Sequence, residues 1–187
     1  VPSPALPREH ASRLVATSLP ATTEVLAVFP VAVARALVAD YAKLLPTLFD
    51  ASDATVLEGR LADRTGIALG TLGAECAVAR IADAGLVVVC DGDKVVPPAG
   101  AATWKDGDAS GHEVRLLGAK VLVGVRAGRV VAGTPEAVRK VLQAARDEVP
   151  TLGEGGLRWL ASAKKLGYAD GRRDVALYFL APRTAPW

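Results

Sequence analysis

The stretch ECAVARIADAGLVVVC, residues 75–90, decides the fold. It holds two apolar runs, residues 76–81 and 86–90, separated by the short segment 82–85. Apolar runs rich in valine that flank a glycine-containing turn are typical of a β-hairpin. The sequence therefore predicts two antiparallel strands here.

The only two cysteines, Cys76 and Cys90, lie symmetrically about Asp83 in this stretch. If the turn is centred on Asp83, they lie directly opposite each other, close enough for a disulfide when the pair is of the non-hydrogen-bonded kind. If Gly85 forms a bulge, the register slips and the pair becomes diagonal. The alternatives are a disulfide, which favours an oxidising compartment, and two buried free thiols. No metal site is expected, because the two thiols have no His or Cys partners nearby.

Further elements are predicted on both sides of the hairpin. Apolar runs and turn signals predict strands at residues 24–29, 113–117, 120–126, 129–132 and 174–180. Helical spacing and end signals predict helices at residues 33–49, 53–64 and 135–148. Thr134 is expected to cap the last of these helices, and Gly66 to end the one before it. We predict an α+β fold: a mostly antiparallel sheet of about six strands with helices packed on one face.

Composition excludes several classes of function. The 187 residues are 51% hydrophobic, and 22 basic against 20 acidic residues give a net charge of +2. A nucleic-acid partner is not expected, because counterion displacement needs a basic face. The longest apolar run, residues 25–39, is interrupted by Pro30 and Arg35. We therefore expect no membrane insertion of this segment. No cofactor is predicted, because the glycines form no G-x-G-x-x-G pattern.

The two ends of the chain differ from its middle. Residues 1–8 hold three prolines and are interpreted as a tether, residues 9–150 as an α+β domain, and residues 151–187 as a helix and a closing strand. The closing run DVALYF, residues 174–179, is similar to EVLAVF, residues 24–29. The similarity suggests an internal repeat, in which the closing strand pairs beside the first and opens a second unit.

Several motifs carry a family resemblance. They are Leu61-Ala-Asp-Arg-Thr-Gly-Ile67, Leu72-Gly73, Glu75-Cys-Ala-Val-Ala-Arg80, Leu19-Pro20 and Val131-Ala-Gly-Thr-Pro-Glu-Ala-Val138. Together they resemble a bacterial exported (periplasmic or lipoprotein) repeat-domain family of unknown function, over about residues 9–150. The resemblance implies a location in the periplasm or at the cell surface. It supplies no catalytic residues.

Acidic turns are the candidate metal ligands. Asp91-Gly-Asp93 and Asp106-Gly-Asp108 flank the long glycine-rich connection of residues 91–111. Alternating carboxylates around glycine are used in calcium loops, but neither turn has the additional ligands of a full site. Ordinary turn chemistry explains both, so no metal is predicted.

The two histidines and one tryptophan are the other candidates. His10 lies near the tether, and His112 follows Ser110 without an acid to orient it. No catalytic residue is therefore predicted. Trp104, within the long connection, is a candidate partner contact; the alternative is that its ring folds back over the sheet.

These observations lead to three hypotheses of function. The first is a non-enzymatic, extracytoplasmic binding or assembly module of a bacterial cell-envelope protein, with a protein partner in the envelope. The second is a carrier of a small apolar ligand between helices and sheet, which needs a cavity of about 300 Å³ or more. The third is a metal-dependent enzyme, which needs the acidic turns to converge. The sequence does not fix the oligomeric state.

Overall fold

A computed structural model describes residues 18–32, 34–35 and 54–152, and the backbone of residues 176–179. The strands in this part of the chain are β1 (Thr23–Pro30), β2 (Glu75–Ile81), β3 (Gly85–Asp91), β4 (Thr103–Asp106), β5 (Ala109–Leu116), β6 (Ala119–Arg126), β7 (Arg129–Gly133) and β8 (Ala176–Phe179). The helices named in the same part of the chain are α1 (Ala54–Thr65) and α2 (Pro135–Ala144), with a short 3-10 turn at Leu69–Thr71, and residues 31–32 and 34–35 are also helical.

All eight strands belong to one antiparallel sheet, in the order β4-β5-β6-β7-β3-β2-β1-β8. The α+β class with a mostly antiparallel sheet is therefore confirmed. The predicted number of about six strands is too low, since β1 to β7 are seven strands and β8 is an eighth. The strand missed from sequence is β4, whose four residues TWKD form no apolar run.

The closing strand lies where the sequence predicts it. β8 pairs antiparallel with β1, and Val25 lies opposite Phe179. The described part of β8 covers Ala176–Phe179, and the remaining residues of the predicted strand, 174, 175 and 180, lie outside the described residues. The proposed tether, residues 1–8, lies outside the described residues, as does most of the helix predicted at residues 33–49. The internal repeat and the division into units stay predictions.

One side of the sheet, which we call the helix face, is covered by α2. The helix buries Ala137, Val138, Val141 and Leu142. These side chains share a core with strand residues of alternating positions, including Ala77, Ala79, Val87, Val89 and Val131. Because the strand side chains are small, the helix can lie close to β3, β6 and β7, which it contacts.

The start of α2 is fastened to the β2–β3 turn. Pro135 occupies the first helical turn as predicted, but Thr134 makes no side-chain cap. Its hydroxyl instead donates to the carbonyl of Ala84, and Lys140 Nζ donates to the carbonyl of Ala82 at 2.9 Å. The prediction of a Thr134 cap is therefore wrong, because the hairpin turn lies close enough to compete for the hydroxyl.

The opposite side of the sheet, which we call the disulfide face, has a second core. It contains Val31, Cys76, Cys90 and Val130, against which Phe29, Ile67, Leu72, Val88, Val95 and Val125 pack. Ile67, Leu72 and Val95 come from connecting segments rather than from strands or helices. Helix α1 ends beside this face at Gly66, which has φ of +74° and donates its N–H to Ala62 O at 2.7 Å. The predicted end of this helix is confirmed.

Candidate functional site

Cys76 and Cys90 form a disulfide across β2 and β3. Their sulfurs are 1.96 Å apart, their Cα atoms are 4.1 Å apart, and the two residues are direct partners in the register. The predicted disulfide and the opposed register are therefore confirmed. The register does not slip because Asp83 takes a positive φ of 57° at the centre of the turn, and Gly85 still pairs with Ile81.

His112 is a structural residue of the disulfide face. His112 pairs with Val123, Val123 pairs with Ala132, and Ala132 pairs with Val88 of the second core. Residues directly opposite each other on neighbouring strands lie on the same face of the sheet, so His112 lies on the disulfide face. The ring is fully buried, and Nε2 lies 2.8 Å from the carbonyl oxygen of Thr65 at the end of α1. This distance fits an Nε2–H that donates to the carbonyl.

The other nitrogen of His112, Nδ1, is buried and has no hydrogen-bond partner in the part of the chain that the structure describes. A Cβ at Gly66 would lie 2.7 Å from the ring, so glycine is required where α1 ends. The ring is thus enclosed, with its Nε2 engaged by the backbone. This arrangement uses His112 to fasten α1 to the sheet.

Trp104 lies on the edge strand β4 and folds onto the helix face. Its Nε1–H donates to the carbonyl oxygen of His112 at 3.1 Å. Its ring packs against the first core and lies over Gly111 and Gly124, which are register partners on β5 and β6. A Cβ at Gly124 would lie 2.4 Å from the ring. The absence of side chains at Gly111 and Gly124 therefore lets the indole pack directly on the backbone of β5 and β6. Trp104 is half-buried, and its role as a partner contact stays a prediction.

The acidic turns do not converge on one another. Asp106 accepts from Arg146 at 2.9 Å, and Asp108 accepts from Arg126 at 2.7 Å. The hydrogen bond from Arg126 is the main cause that lowers the pKa of Asp108. Within the described ranges, no group of three or more His, Cys, Asp or Glu side chains could hold a metal ion.

A cavity of about 230 Å³ lies on the helix face, between the last turns of α2 and the β6–β7 turn. Its walls are Ser18, Val89, Arg126, Ala127, Arg129, Val131, Val141, Leu142 and Ala145. Sequence reasoning missed this site. The available signal was the segment Arg126-Ala-Gly-Arg129, a two-residue turn with an arginine on each side, because paired positions of a hairpin share one face.

The electrostatics of the cavity come from its two arginines. Burial lowers the pKa of the Arg129 guanidinium, the nearby carboxylate of Asp91 raises it, and Arg126 lowers it. Arg126 has a side chain only 15% exposed. The guanidinium group of Arg129 remains charged at neutral pH.

The carrier hypothesis requires more room than this cavity offers. Its volume of about 230 Å³ is below the 300 Å³ or so that the carrier hypothesis needs and that is usual for pockets that enclose drug-sized ligands. A second hollow, of about 360 Å³, follows residues 147–151 after α2 and does not lie between helix and sheet.

Among the described residues, no helix is both long and apolar enough to cross a membrane. Compared with known proteins, the chain matches no protein-family model, and no curated protein or solved structure is significantly similar to it.

Proposed function

We propose that this chain is a non-enzymatic binding or assembly module of a bacterial cell-envelope protein, acting in the periplasm or at the cell surface. The observation that carries the proposal is the Cys76–Cys90 disulfide. Disulfides form and persist in oxidising compartments and are rare in reducing ones. A covalent bond between two strands in the interior of the sheet therefore favours a protein that works outside the cytoplasm.

The use of its polar side chains favours binding over catalysis. The ring of His112 is enclosed and hydrogen-bonded to the backbone of Thr65. The carboxylates of Asp106 and Asp108 pair with Arg146 and Arg126. In the described part of the chain, these three side chains thus hold secondary structure elements together.

The edge of the sheet at β4 is the proposed contact with a protein partner. Beyond β4 no further strand is present among the described residues, so its outer backbone groups are open to another chain. Trp104 lies on this strand and is half-buried, and the neighbouring Lys105 is exposed. A partner can thus meet backbone donors and acceptors, an aromatic ring and a positive charge at one edge.

The compartment is tested by trapping the thiols of the native protein. Cells of the source organism are quenched in acid and treated with a large maleimide before and after reduction. We expect no modification of Cys76 and Cys90 until reductant is added, and recovery of the protein with the envelope fraction. Modification of both thiols without reductant would contradict the extracytoplasmic assignment.

The partner edge is tested by placing a photo-crosslinking amino acid at Lys105 in the full-length protein. Its matched control is the same amino acid at Leu117, which is fully exposed in the β5–β6 turn. We expect a discrete crosslinked product in the envelope from position 105 and none from position 117. Equal products from both positions, or none from either, would refute the contact at β4.

A further inference from the structure

Two arginines of the β6–β7 turn line the same cavity, whose remaining walls are mostly apolar. We infer that this cavity binds a small organic acid, with its carboxylate on Arg126 and Arg129 and its apolar body against Val131, Val141 and Leu142. The inference deepens the proposed function, because it rests on the chain being a binding module and names a class of ligand for it.

The register places both guanidinium groups on the helix face. Arg126 pairs with Arg129, and Gly124 pairs with Val131, a residue of the first core. Because side chains alternate along a strand, Arg126 and Arg129 share the face of Gly124 and Val131. The turn residue Ala127 completes this end of the cavity.

The donors of the two arginines are largely unused. Arg126 donates through Nε to Asp108 at 2.7 Å, and its terminal nitrogens make no other hydrogen bond to a described residue. Arg129 makes no hydrogen bond or ion pair within the described ranges, and its only electrostatic neighbours there are Asp91 and Arg126. A half-buried guanidinium without a hydrogen-bonded partner is costly, and a carboxylate supplies paired acceptors with matching geometry.

Neighbouring acids do not fill this role. Asp91 is the register partner of Arg129, but no hydrogen bond joins the two within the described ranges, and one partly buried carboxylate balances only one of the two guanidinium groups. Asp106 and Asp108 lie toward solvent. The side chains of Asp108 and Asp106 are 59% and 43% exposed, whereas those of Arg126 and Arg146 are 15% and 22% exposed. Water screens the exposed carboxylates, so the inward side of the arginines stays positive. The cavity therefore favours an anion over a neutral or cationic ligand.

Size and wall chemistry restrict the ligand further. At about 30 Å³ for each water-sized group, the cavity holds roughly seven or eight such groups. This volume suits a short aliphatic or monocyclic carboxylate and is too small for a nucleotide or a long acyl chain. Val141 and Leu142 of α2 offer apolar contact to the body of such a ligand.

The test uses benzoate as the probe, with benzyl alcohol as its neutral counterpart, and follows binding by calorimetry and by amide NMR shifts. Benzoate is expected to bind saturably at one site and to shift the amides of Arg126, Arg129 and Ala145, whereas benzyl alcohol binds at least about tenfold more weakly. Arg129→Gln is expected to weaken benzoate binding by about tenfold or more, and Arg129→Lys by less, since lysine keeps the charge but loses the planar fork.

The matched control is Arg80→Gln, which removes an exposed arginine that pairs with Glu24 on the disulfide face. It is expected to leave benzoate affinity unchanged. Thermal unfolding of each variant verifies that Arg129→Gln remains folded. Benzoate shifts that persist in Arg129→Gln, or equal affinity for benzyl alcohol, would overturn the inference. So would the absence of saturable shifts, whereas the proposed function fails only if the thiol-trapping and crosslinking results contradict it.

Discussion

The two faces of the sheet are closed by different means. The helix face is covered by a regular element, α2, which buries a row of small aliphatic side chains against β3, β6 and β7. On the disulfide face, the described part of the chain contributes Ile67, Leu72 and Val95 from connecting segments. A helix satisfies its own backbone hydrogen bonds and needs only an apolar stripe to dock.

Irregular segments lack that internal support, and the disulfide face is correspondingly tied by specific bonds. The Cys76–Cys90 disulfide joins two of its strands, and the His112–Thr65 hydrogen bond fixes the end of α1 to it. The comparison teaches that both faces combine apolar burial with hydrogen bonds between distant segments, since Thr134 and Lys140 also fasten α2 to the β2–β3 turn. The covalent bond is the feature that distinguishes the disulfide face.

Removal of the disulfide is expected to have the largest effect. The double substitution Cys76→Ala and Cys90→Ala frees a loop closed at a sequence separation of 14 residues, which corresponds to a loss of about 3 kcal/mol in the free energy of unfolding. Urea unfolding of the oxidised protein and the double variant measures it. The same loss should appear in the unsubstituted protein on reduction, and a difference below about 1 kcal/mol would show that the bond does not hold this face.

Truncation of a side chain in the core of the helix face is expected to lower the free energy of unfolding somewhat less than removal of the disulfide does. Val138→Ala removes a fully buried side chain of α2 and should lower the free energy of unfolding by about 2 kcal/mol, with no dependence on reductant. Val56→Ala in α1, at a side chain 45% exposed, is the control and should change it by less than about 0.5 kcal/mol. Equal losses in the two variants would mean that α2 does not seal the helix face.

The hydrogen bond of His112 should contribute less to the free energy of unfolding than the buried side chain of Val138 does. His112→Phe keeps a buried ring but leaves the carbonyl of Thr65 without its side-chain donor, for an expected loss of about 1–2 kcal/mol. Amide hydrogen exchange should accelerate near the C-terminal end of α1 and not in α2. Uniform acceleration across both helices would argue against a local tie.

The smallest effect concerns the ion pair of Asp108 with Arg126. The pKa of Asp108 is lowered in the folded protein, so its contribution is fully present above the carboxyl's unfolded pKa and disappears as pH falls through the folded value. Asp108→Asn should therefore be slightly less stable than the unsubstituted protein at neutral pH and equal to it in acid. A difference that grows in acid would have the wrong sign.

Much of the sheet could be predicted from local pattern. Five strands are apolar runs bounded by turn residues, and their ends differ from the predicted ends by one residue at most; they are β1, β2, β3, β6 and β7. α2 extends only to Ala144, four residues short of the predicted end. β4 and the first half of β5 were missed because TWKD and Ala-Ser-Gly-His carry little apolar character. β4 and β5 pair because the turn at Gly107 brings them together and because the ring of Trp104 covers Gly111 and Gly124.

The candidate sites were predicted less completely. The disulfide was one of two alternatives for the cysteines, and it could be considered at all because the two residues lie symmetrically about one turn, which is a local relationship. The enclosure of His112 did not follow, because its hydrogen-bond partner Thr65 is 47 residues away in sequence. The cavity with Arg126 and Arg129 depends in the same way on how α2 crosses the sheet.

The sequence by itself determined the antiparallel hairpins, the α+β class and the stop of α1, and it left the two cysteines as either a disulfide or two free thiols. Each depends on residues within one or two turns of chain, where alternation, glycine and proline act directly on the backbone. Only the tertiary structure decided which residues close each face of the sheet, that Thr134 binds the hairpin rather than its own helix, and that two arginines share one cavity. Those outcomes depend on contacts between distant segments, whose relative positions are set by the packing of the whole core rather than by any local pattern.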